Sequence, residues 1–290
     1  MTSGGPIMQS GMLVDGPAGR RFRLVSRPAS PSDAGTVVFV HAFAEEMNKS
    51  RRMVARTARA LAAHGWTVVQ TDLHGCGDSA GEFRDATWDA WCSEVRDELV
   101  HADRGRPLWL WGHRAGALLA AAAAVEPRPE LHLMLWQPAL SGAQHLQQFL
   151  RLHAGARIVG AQKHTGGPSP LQRLRAGECV EVGGYELAPS LTHGLENARL
   201  DLPAGWAGRV VWLELSALDP PALPVPAAQC IARWRQSGVE VDAQVFAGPA
   251  FWLTQEIEEC DELLHRTVQA IAGSAPAMPR HGGTAQQVPA

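Results

Sequence analysis

Short apolar runs alternate along this chain with longer segments of helical periodicity, and this alternation limits the possible folds more than any other feature. Several runs are apolar at consecutive positions, as expected where helices cover both faces of a parallel sheet. Strand–helix alternation of this kind builds β-α-β units, so the chain is predicted to be an α/β protein. The predicted strands span residues 36–40, 66–71, 107–111, 131–136, 209–215 and 239–246, and the predicted helices span 50–64, 85–102, 115–125, 142–153, 224–237 and 252–272.

One sheet edge and one long connection depart from the regular alternation. Segments 11–15 and 20–26 flank the turn DGPAG and predict an antiparallel hairpin at a sheet edge. The connection 154–208 is rich in Gly and Pro and contains a predicted strand pair over 178–188. Open α/β sheets bind ligands at the carboxyl ends of their strands. We therefore expect this connection to be a cap-like insertion over that end, before the last two strands.

Composition excludes several classes of protein. The 290 residues are 46% hydrophobic and 19% charged, which excludes a chain that is disordered throughout. The net charge of −3 includes no basic excess, so nucleic acid is not an expected partner. We expect a flexible N-terminus over residues 1–10, one domain over 11–272 and a disordered tail over 273–290.

Cysteine usage and hydropathy predict a protein of the cytoplasm. No apolar run is long enough to span a bilayer, and the first residues lack the pattern of a secretory signal. The five cysteines lie far apart without a C-x-x-C pair, which indicates free thiols in a reducing compartment. Most of them are expected to be small buried side chains. Cys76 differs because it lies in a Gly-rich loop.

The sharpest local motif is LWGHRAG at residues 110–116, between a predicted strand and a predicted helix. A strand, G-x-X-x-G and a helix in this order form the nucleophile elbow of α/β-hydrolases. Gly112 and Gly116 allow the sharp turn, and Arg114 would project above the sheet. Two further segments agree with this fold: His41-Ala42-Phe43 stands where such proteins build an oxyanion hole, and residues 72–81 resemble their D-x-x-G-x-G-x-S loop.

The elbow carries a side chain that cannot attack a carbonyl. A guanidinium is always protonated and has no free lone pair, so Arg114 cannot act as a nucleophile. Asp219 follows the strand 209–215 at the usual position of the acid, but residues 247–252 (AGPAFW) contain no histidine after the last strand. An ordinary Ser-His-Asp mechanism is therefore not expected.

A cation at the start of a helix and inside a cleft needs an acidic partner. Glu45, Glu46 and Asp219 are the candidates for pairing with Arg114, and the alternative is an arginine that extends into solvent. His41, His74 and His113 have no metal-binding spacing, so neither a metal nor a cofactor is expected. Among the tryptophans, Trp252 is the one expected to line a pocket.

Several longer segments resemble a known family, the exosortase A system-associated hydrolase 2 group. They are HAFAEEMNKSRRM at 41–53, LWGHRAGALLA at 110–120, LWQPALSG at 135–142, GYEL at 184–187 and FWLT at 251–254. That group belongs to the α/β-hydrolase superfamily and accompanies bacterial PEP-CTERM protein sorting and exopolysaccharide export. The resemblance implies the same fold, and an exosortase-system protein as a partner. Its first segment singles out Glu45, Glu46, Asn48, Lys49, Arg51 and Arg52 as residues near Arg114.

Two functions remain open at this point. The first is hydrolysis of an ester, thioester or acyl bond in a small, lipid-linked or polymer-linked substrate, with water activated by Glu45 or Glu46 and the oxyanion stabilised by Arg114. The second is a catalytically inactive protein that binds an anionic ligand or a partner protein. The candidate ligand-binding residues are His41, Phe43, Lys49, Arg52, His113, Arg114 and Trp252. Alternatively, Asn48 or Ser50 caps the helix at 50–64 and the nearby charges are only solvated.

Overall fold

A computed structural model describes residues 4–32, 34–102, 105–126, 128–154 and 167–273, and their order of strands and helices follows the predicted alternation. The strands are β1 (Ile7–Val14), β2 (Arg21–Pro28), β3 (Thr36–Val40), β4 (Thr67–Thr71), β5 (Leu108–His113), β6 (Leu131–Trp136), β7 (Val180–Val182), β8 (Tyr185–Leu187), β9 (Val210–Ser216) and β10 (Val241–Ala247). The helices are α1 (Glu45–Ala63), α2 (Trp88–Ala102), α3 (Ala115–Ala123), α4 (Gly142–Ala154), α5 (Pro170–Arg175), α6 (Pro189–Asn197), α7 (Val225–Gln236) and α8 (Asp261–Ala272).

The main sheet has eight strands in the order β1-β2-β4-β3-β5-β6-β9-β10. The pairs from β4 through β10 are parallel, whereas β1 and β2 form an antiparallel hairpin that joins the sheet at β4. This arrangement confirms the predicted α/β fold with a mostly parallel sheet and an edge hairpin.

Helices on both faces of the sheet create two apolar cores, and strand β5 contributes to both. All of its residues are buried. Because side chains alternate along a strand, Leu108 and Leu110 pack on one face, while Trp109 and Trp111 pack on the other. A strand buried on both faces explains the consecutive apolar residues in the sequence.

Two predicted helix starts are wrong by five residues or more. Helix α1 begins at Glu45 rather than at residue 50, and Ala44 occupies the N-cap position with φ 51°, so neither Asn48 nor Ser50 caps the helix. Alanine is a poor capping residue, which is why the sequence did not indicate this start. Helix α8 begins at Asp261 rather than at residue 252. Leu253 and Ile257 continue its apolar spacing but are exposed in the preceding loop.

The connection between β6 and β9 contains α4, α5, the β7–β8 hairpin and α6. The hairpin confirms the strand pair predicted within residues 178–188.

At the other end of the chain, β1 begins at Ile7, inside the segment 1–10 that was expected to be flexible. Of the tail expected over 273–290, residues 274–290 lie outside the described part. Within the described residues, no helix combines the length and apolar character needed to cross a membrane.

Candidate active site

The turn between β5 and α3 has the geometry of an elbow. Arg114 stands at its apex with φ 54° and ψ −120°, a backbone conformation that residues other than glycine rarely adopt. A Cβ added to Gly116 would lie 2.3 Å from the carbonyl oxygen of Val40, and one added to Gly112 would lie 2.6 Å from Cα of Ala117. Both positions therefore need glycine, as the motif predicted.

The guanidinium at this apex is paired with a carboxylate. Nε of Arg114 donates to Oε1 of Glu46 at 3.2 Å, and Nη1 donates to the carbonyl oxygen of Gln137 at 3.4 Å. Each side chain of the Arg114–Glu46 pair is 12% exposed. The predicted ion pair is confirmed with Glu46 as the acid, and the alternative of an arginine extended into solvent is wrong. Asp219 is exposed in the loop after β9.

Aromatic rings from the loop after β10 cover the same place. The Trp252 ring centroid lies 5.5 Å from Cζ of Arg114, in the range of a cation–π contact. The preceding Phe251 stacks on His113, with ring centroids 5.5 Å apart. A catalytic histidine would stand in this loop, and its buried aromatic rings pack against the elbow instead.

Two histidines predicted as ligand-binding residues are buried within the fold. His113 is fully buried, with Nε2 3.0 Å from Oγ of Ser50 and Nδ1 3.3 Å from the carbonyl oxygen of Trp136. Burial and the neighbouring Arg114 charge lower the pKa of His113 to about 3, so it is neutral at physiological pH. His41 contacts the carbonyl oxygen of Ala42 through Nδ1 and accepts the Leu73 N–H at Nε2. Burial also lowers the pKa of His41.

The Gly-rich loop at 72–81 is held by its own side chains. The Asp72 carboxylate accepts hydrogen bonds from Arg51 at 3.1 Å and from the backbone N–H of Asp78 at 3.0 Å. Ser79 donates to the Asp72 carbonyl oxygen and accepts from the backbone N–H of Phe22, which is a structural role. Burial raises the pKa of the Cys76 thiol, so this thiol is protonated at neutral pH.

A cleft of about 260 Å³ lies beside the ion pair, between α1, α4 and the loop after β10. It is lined by Glu45, Glu46, Lys49, His145, Gln148, Phe149, Leu152, Trp252, Leu253 and Gln255. Of the predicted residues, the cleft therefore brings together Glu45, Glu46, Lys49 and Trp252. Phe43 packs in an aromatic cluster next to the cleft, 5.2 Å from Phe149 between ring centroids. Arg52 pairs with Glu259 instead of facing the cleft.

His145, which no sequence motif singled out, lies opposite Glu46. Its Nε2 is 3.6 Å from Oε2 of Glu46, and its side chain is 4% exposed. Burial and the Arg114 charge lower the pKa of His145 to about 3, while burial raises the pKa of Glu46 against the opposing effect of Arg114. The sequence feature that could have pointed to His145 was its helical spacing with Phe149 and Leu152, which places the three residues on one face of α4.

The insertion reaches the first turn of α1 through Tyr185 on β8. The Tyr185 hydroxyl donates to Oε2 of Glu45 at 3.1 Å and accepts from Nδ2 of Asn48 at 2.9 Å. Burial and the Glu45 carboxylate raise the pKa of Tyr185, so the phenol is protonated at neutral pH. These contacts connect the β7–β8 hairpin to the edge of the cleft, as expected for a cap-like insertion.

Comparison with known proteins supports the fold. The model of the family described as "Serine aminopeptidase, S33" matches residues 31–167, just under half of the chain. No curated protein matches this sequence significantly. The solved structures described next are 15–18% identical to this chain, so they inform on its fold alone.

Three of these structures cover most of this chain. Est1E from Butyrivibrio proteoclasticus, solved with ferulic acid, has 15% identity, covers 90% of this chain and 96% of its own, and gives a TM-score of 0.60. Proline iminopeptidase of Mycobacterium smegmatis has 18% identity, coverages of 91% and 98%, and a TM-score of 0.55. Brefeldin A esterase, a bacterial homologue of human hormone-sensitive lipase, has 18% identity, coverages of 94% and 77%, and a TM-score of 0.55. With the sheet order and the elbow, these matches show that the chain has the α/β-hydrolase fold.

Proposed function

We propose that this chain is a binding protein built on the α/β-hydrolase fold, and that it does not form an acyl-enzyme. The observation that carries the proposal is the ion pair at the elbow. Arg114 occupies the apex where a nucleophile would stand, and its guanidinium is held by Glu46 and covered by Trp252. A protonated, paired guanidinium has no lone pair for attack on a carbonyl.

The residues around the Arg114–Glu46 pair also favour binding over catalysis. The His113 imidazole next to the elbow is buried and bound to neighbouring groups, so it is not available as a general base. Burial disfavours the charged form of both His113 and His145. The cleft beside the pair stays open to a small ligand, at the sheet end where α/β folds place their binding sites.

A second candidate function is hydrolysis without a protein nucleophile, and one observation favours it. Oε2 of Glu46 makes no hydrogen bond to any described residue, and burial raises the pKa of this carboxyl. A carboxylate with a raised pKa is a suitable general base for water, and Arg114 would then stabilise the oxyanion. The bonds broken would be those of esters, thioesters or other acyl compounds.

Turnover assays separate the two functions. Wild-type protein is mixed with p-nitrophenyl esters and acyl-CoA thioesters, alongside the Arg114→Ala and Glu46→Gln variants. The binding proposal expects wild-type rates equal to those of both variants and to the buffer. Saturable turnover that both substitutions abolish would overturn the proposal in favour of hydrolysis. Circular dichroism of each variant checks that a loss of rate is not a loss of fold.

The proposal also includes a cellular setting, which rests on the sequence resemblance. The segments at 41–53 and 110–120 resemble the exosortase A system-associated hydrolase 2 group. We therefore propose a role beside surface-protein sorting or exopolysaccharide export, with a protein of that system as a partner. The free cysteines among the described residues support the cytoplasm as the location. Co-purification with an exosortase-system protein, lost on deletion of that protein's gene, tests this setting.

A further inference from the structure

Strand β1 forms one edge of the main sheet, and its outer side has no partner among the described strands. It pairs with β2 alone, and the order of strands ends there. The residues from Met8 to Leu13 are exposed, and no residue from Ile7 to Val14 is charged. Proteins normally protect such an edge with charges, proline or a covering segment, because an exposed edge strand is a template for another strand.

The opposite edge of the sheet, β10, differs from β1 in both respects. It carries Asp242, and all of its residues except Ala247 are buried or half-buried. On β1, by contrast, the large apolar side chains of Met8, Met12 and Leu13 are exposed. Covering these side chains in a contact would be favourable. Of the two edges, β1 is therefore the one suited to strand addition.

The ladder between β1 and β2 shows which backbone groups of β1 face outwards. In an antiparallel pair, residues that exchange hydrogen bonds with the partner strand alternate with residues whose N–H and C=O groups point away from it. The N–H of Ala29 donates to the carbonyl oxygen of Pro6 at 2.9 Å, and the next pair in register is Ile7 with Pro28. The even-numbered residues of β1 therefore bond to β2, and the odd-numbered residues present their backbone groups at the open edge.

The sequence of β1 is complementary to a second copy of itself. An antiparallel copy centred on Ser10 places Ile7 of one chain opposite Leu13 of the other. The same register places Met8 opposite Met12, so apolar side chains meet apolar side chains. Ser10 then meets its own copy in a pair without backbone hydrogen bonds, where Cα atoms approach to ~4.5 Å and small side chains fit. Such a self-complementary contact is that of a two-fold symmetric dimer.

The positive charges of β2 do not oppose this pairing strongly. Arg27 lies opposite Met8 and Arg23 lies opposite Met12 in the β1–β2 ladder. Across the two copies, Arg27 of one chain and Arg23 of the other would be three strand spacings apart, or about 14 Å. Charges at that separation are largely screened at physiological ionic strength, where the screening length is ~8 Å.

We infer that β1 is a dimerisation edge, through which two copies of this chain pair antiparallel and join their eight-stranded sheets into one continuous sheet. The odd-numbered residues of each β1 supply the hydrogen bonds between the chains, and the apolar side chains on both sides of Ser10 supply the buried contact. The inference goes beyond the proposed binding function, because β1 contributes no residue to the cleft beside the Arg114–Glu46 pair.

Sedimentation equilibrium of the full chain tests whether this edge forms a dimer. We expect the wild type to dimerise at micromolar concentration. Ser10→Lys places two like charges opposite each other at the two-fold axis, so it should weaken dimerisation at least about threefold. The control Gln236→Lys adds the same charge at an exposed residue of α7 and should leave dimerisation unchanged. Circular dichroism of both variants checks the fold.

Cysteine substitutions test the register of the pairing. A Cys179→Ser background removes the exposed native thiol. In that background, Ser10→Cys places two thiols at the axis, within the ~4.4–6.8 Å between Cα atoms that a disulfide needs. The control Met8→Cys is also exposed, but its two copies would lie four residues apart along the strands, more than about 13 Å. Mild oxidation should therefore give a covalent dimer faster from Ser10→Cys, as read on a non-reducing gel.

Three results would overturn the inference. A wild type that remains monomeric at high micromolar concentration would show that the edge does not bind a second copy. Slow hydrogen exchange of the outward amides of Gln9 and Gly11 in that monomer would mean that another segment of the chain covers the edge. Dimerisation that is insensitive to Ser10→Lys, or equal oxidation rates for Ser10→Cys and Met8→Cys, would place the contact elsewhere.

Discussion

Arg114 at the elbow and Glu46 in the first turn of α1 form an ion pair, with Nε and Oε1 3.2 Å apart. The two residues are 68 positions apart in the sequence and meet because β3 and β5 are neighbours in the sheet. The carboxyl ends of these strands lie side by side, so the chain segments that follow them converge. This pair fills the apex of the elbow, and its Glu46 side chain lines the cleft.

Separating the pair should destabilise the fold. Arg114→Met leaves the Glu46 carboxylate buried without its cation, and we expect a loss on the order of 3 kcal/mol in the free energy of unfolding. Glu46→Gln should also destabilise, because the guanidinium loses its partner. The stability loss of the double variant should be smaller than the sum of the two single losses by more than about 0.5 kcal/mol. Urea denaturation gives the free energy of unfolding of the wild type, the two single variants and the double variant. If the two single losses add up to the loss of the double variant, Arg114 and Glu46 are not directly coupled.

The positive φ of Arg114 predicts an unusual preference for glycine. Both Arg114→Gly and Arg114→Ala remove the side chain, but only glycine adopts φ 54° without strain. The glycine variant should be more stable than the alanine variant by about 1 kcal/mol. Arg59, exposed within α1, provides the control, and there the order should reverse because alanine favours a helix. If the alanine variant were more stable than the glycine variant at both positions, the elbow would not be strained.

Acid should destabilise the protein through its buried histidines. The pKa of His145 is about 3 in the folded chain, against 6.5 for an ordinary histidine. The unfolded chain therefore takes up this proton first, and stability is lost as the pH falls from about 6.5 towards 3. His145 contributes up to about 1.4 kcal/mol per pH unit to the slope of the unfolding free energy against pH.

The variant His145→Phe isolates this contribution. The buried carboxyls Glu46, Glu94 and Glu214 have pKa values raised by burial, so they stabilise the fold on acidification and oppose the histidines. These opposing effects are present in both proteins. Unfolding free energies measured between about pH 4 and 6 should therefore depend less steeply on pH in His145→Phe. Parallel pH profiles would show that His145 titrates normally.

The cysteines should differ sharply in reactivity. Cys179 is exposed, whereas Cys76, Cys92, Cys230 and Cys260 are buried. Thiolates are the reacting species, and burial raises the pKa of Cys76. Iodoacetamide should therefore modify Cys179 in the native protein and all five cysteines after denaturation, as read by peptide mass spectrometry. Rapid native labelling of Cys76 would contradict its structural role.

The sequence predicted the elbow and the ion pair because both follow from local rules. Two glycines around one residue, between a strand and a helix, fix where Arg114 stands, and a cation in that place requires an acid nearby. The choice among Glu45, Glu46 and Asp219 needed coordinates. Only in the folded chain do Glu45 and Tyr185 meet, while Asp219 remains exposed.

Other parts of the site could not be read from the sequence. His145 on α4 meets Glu46 on α1 only in the folded chain, and its helical spacing indicates an apolar face rather than a site. The start of α8 was misplaced because Leu253 and Ile257 continue the helical spacing into a loop that turns away at Phe251. That loop also places Trp252 against the elbow, so the misplaced start of α8 falls in the segment that covers the site.

The proposed absence of acyl-enzyme chemistry at the elbow is tested most directly by intact-protein mass spectrometry. The wild-type protein is incubated with p-nitrophenyl acetate and, separately, with a fluorophosphonate that labels activated serines. Because Arg114 at the apex has no lone pair to offer, we predict an unchanged mass with both reagents. A stoichiometric adduct that peptide mapping locates on a serine or cysteine beside the elbow would contradict the account.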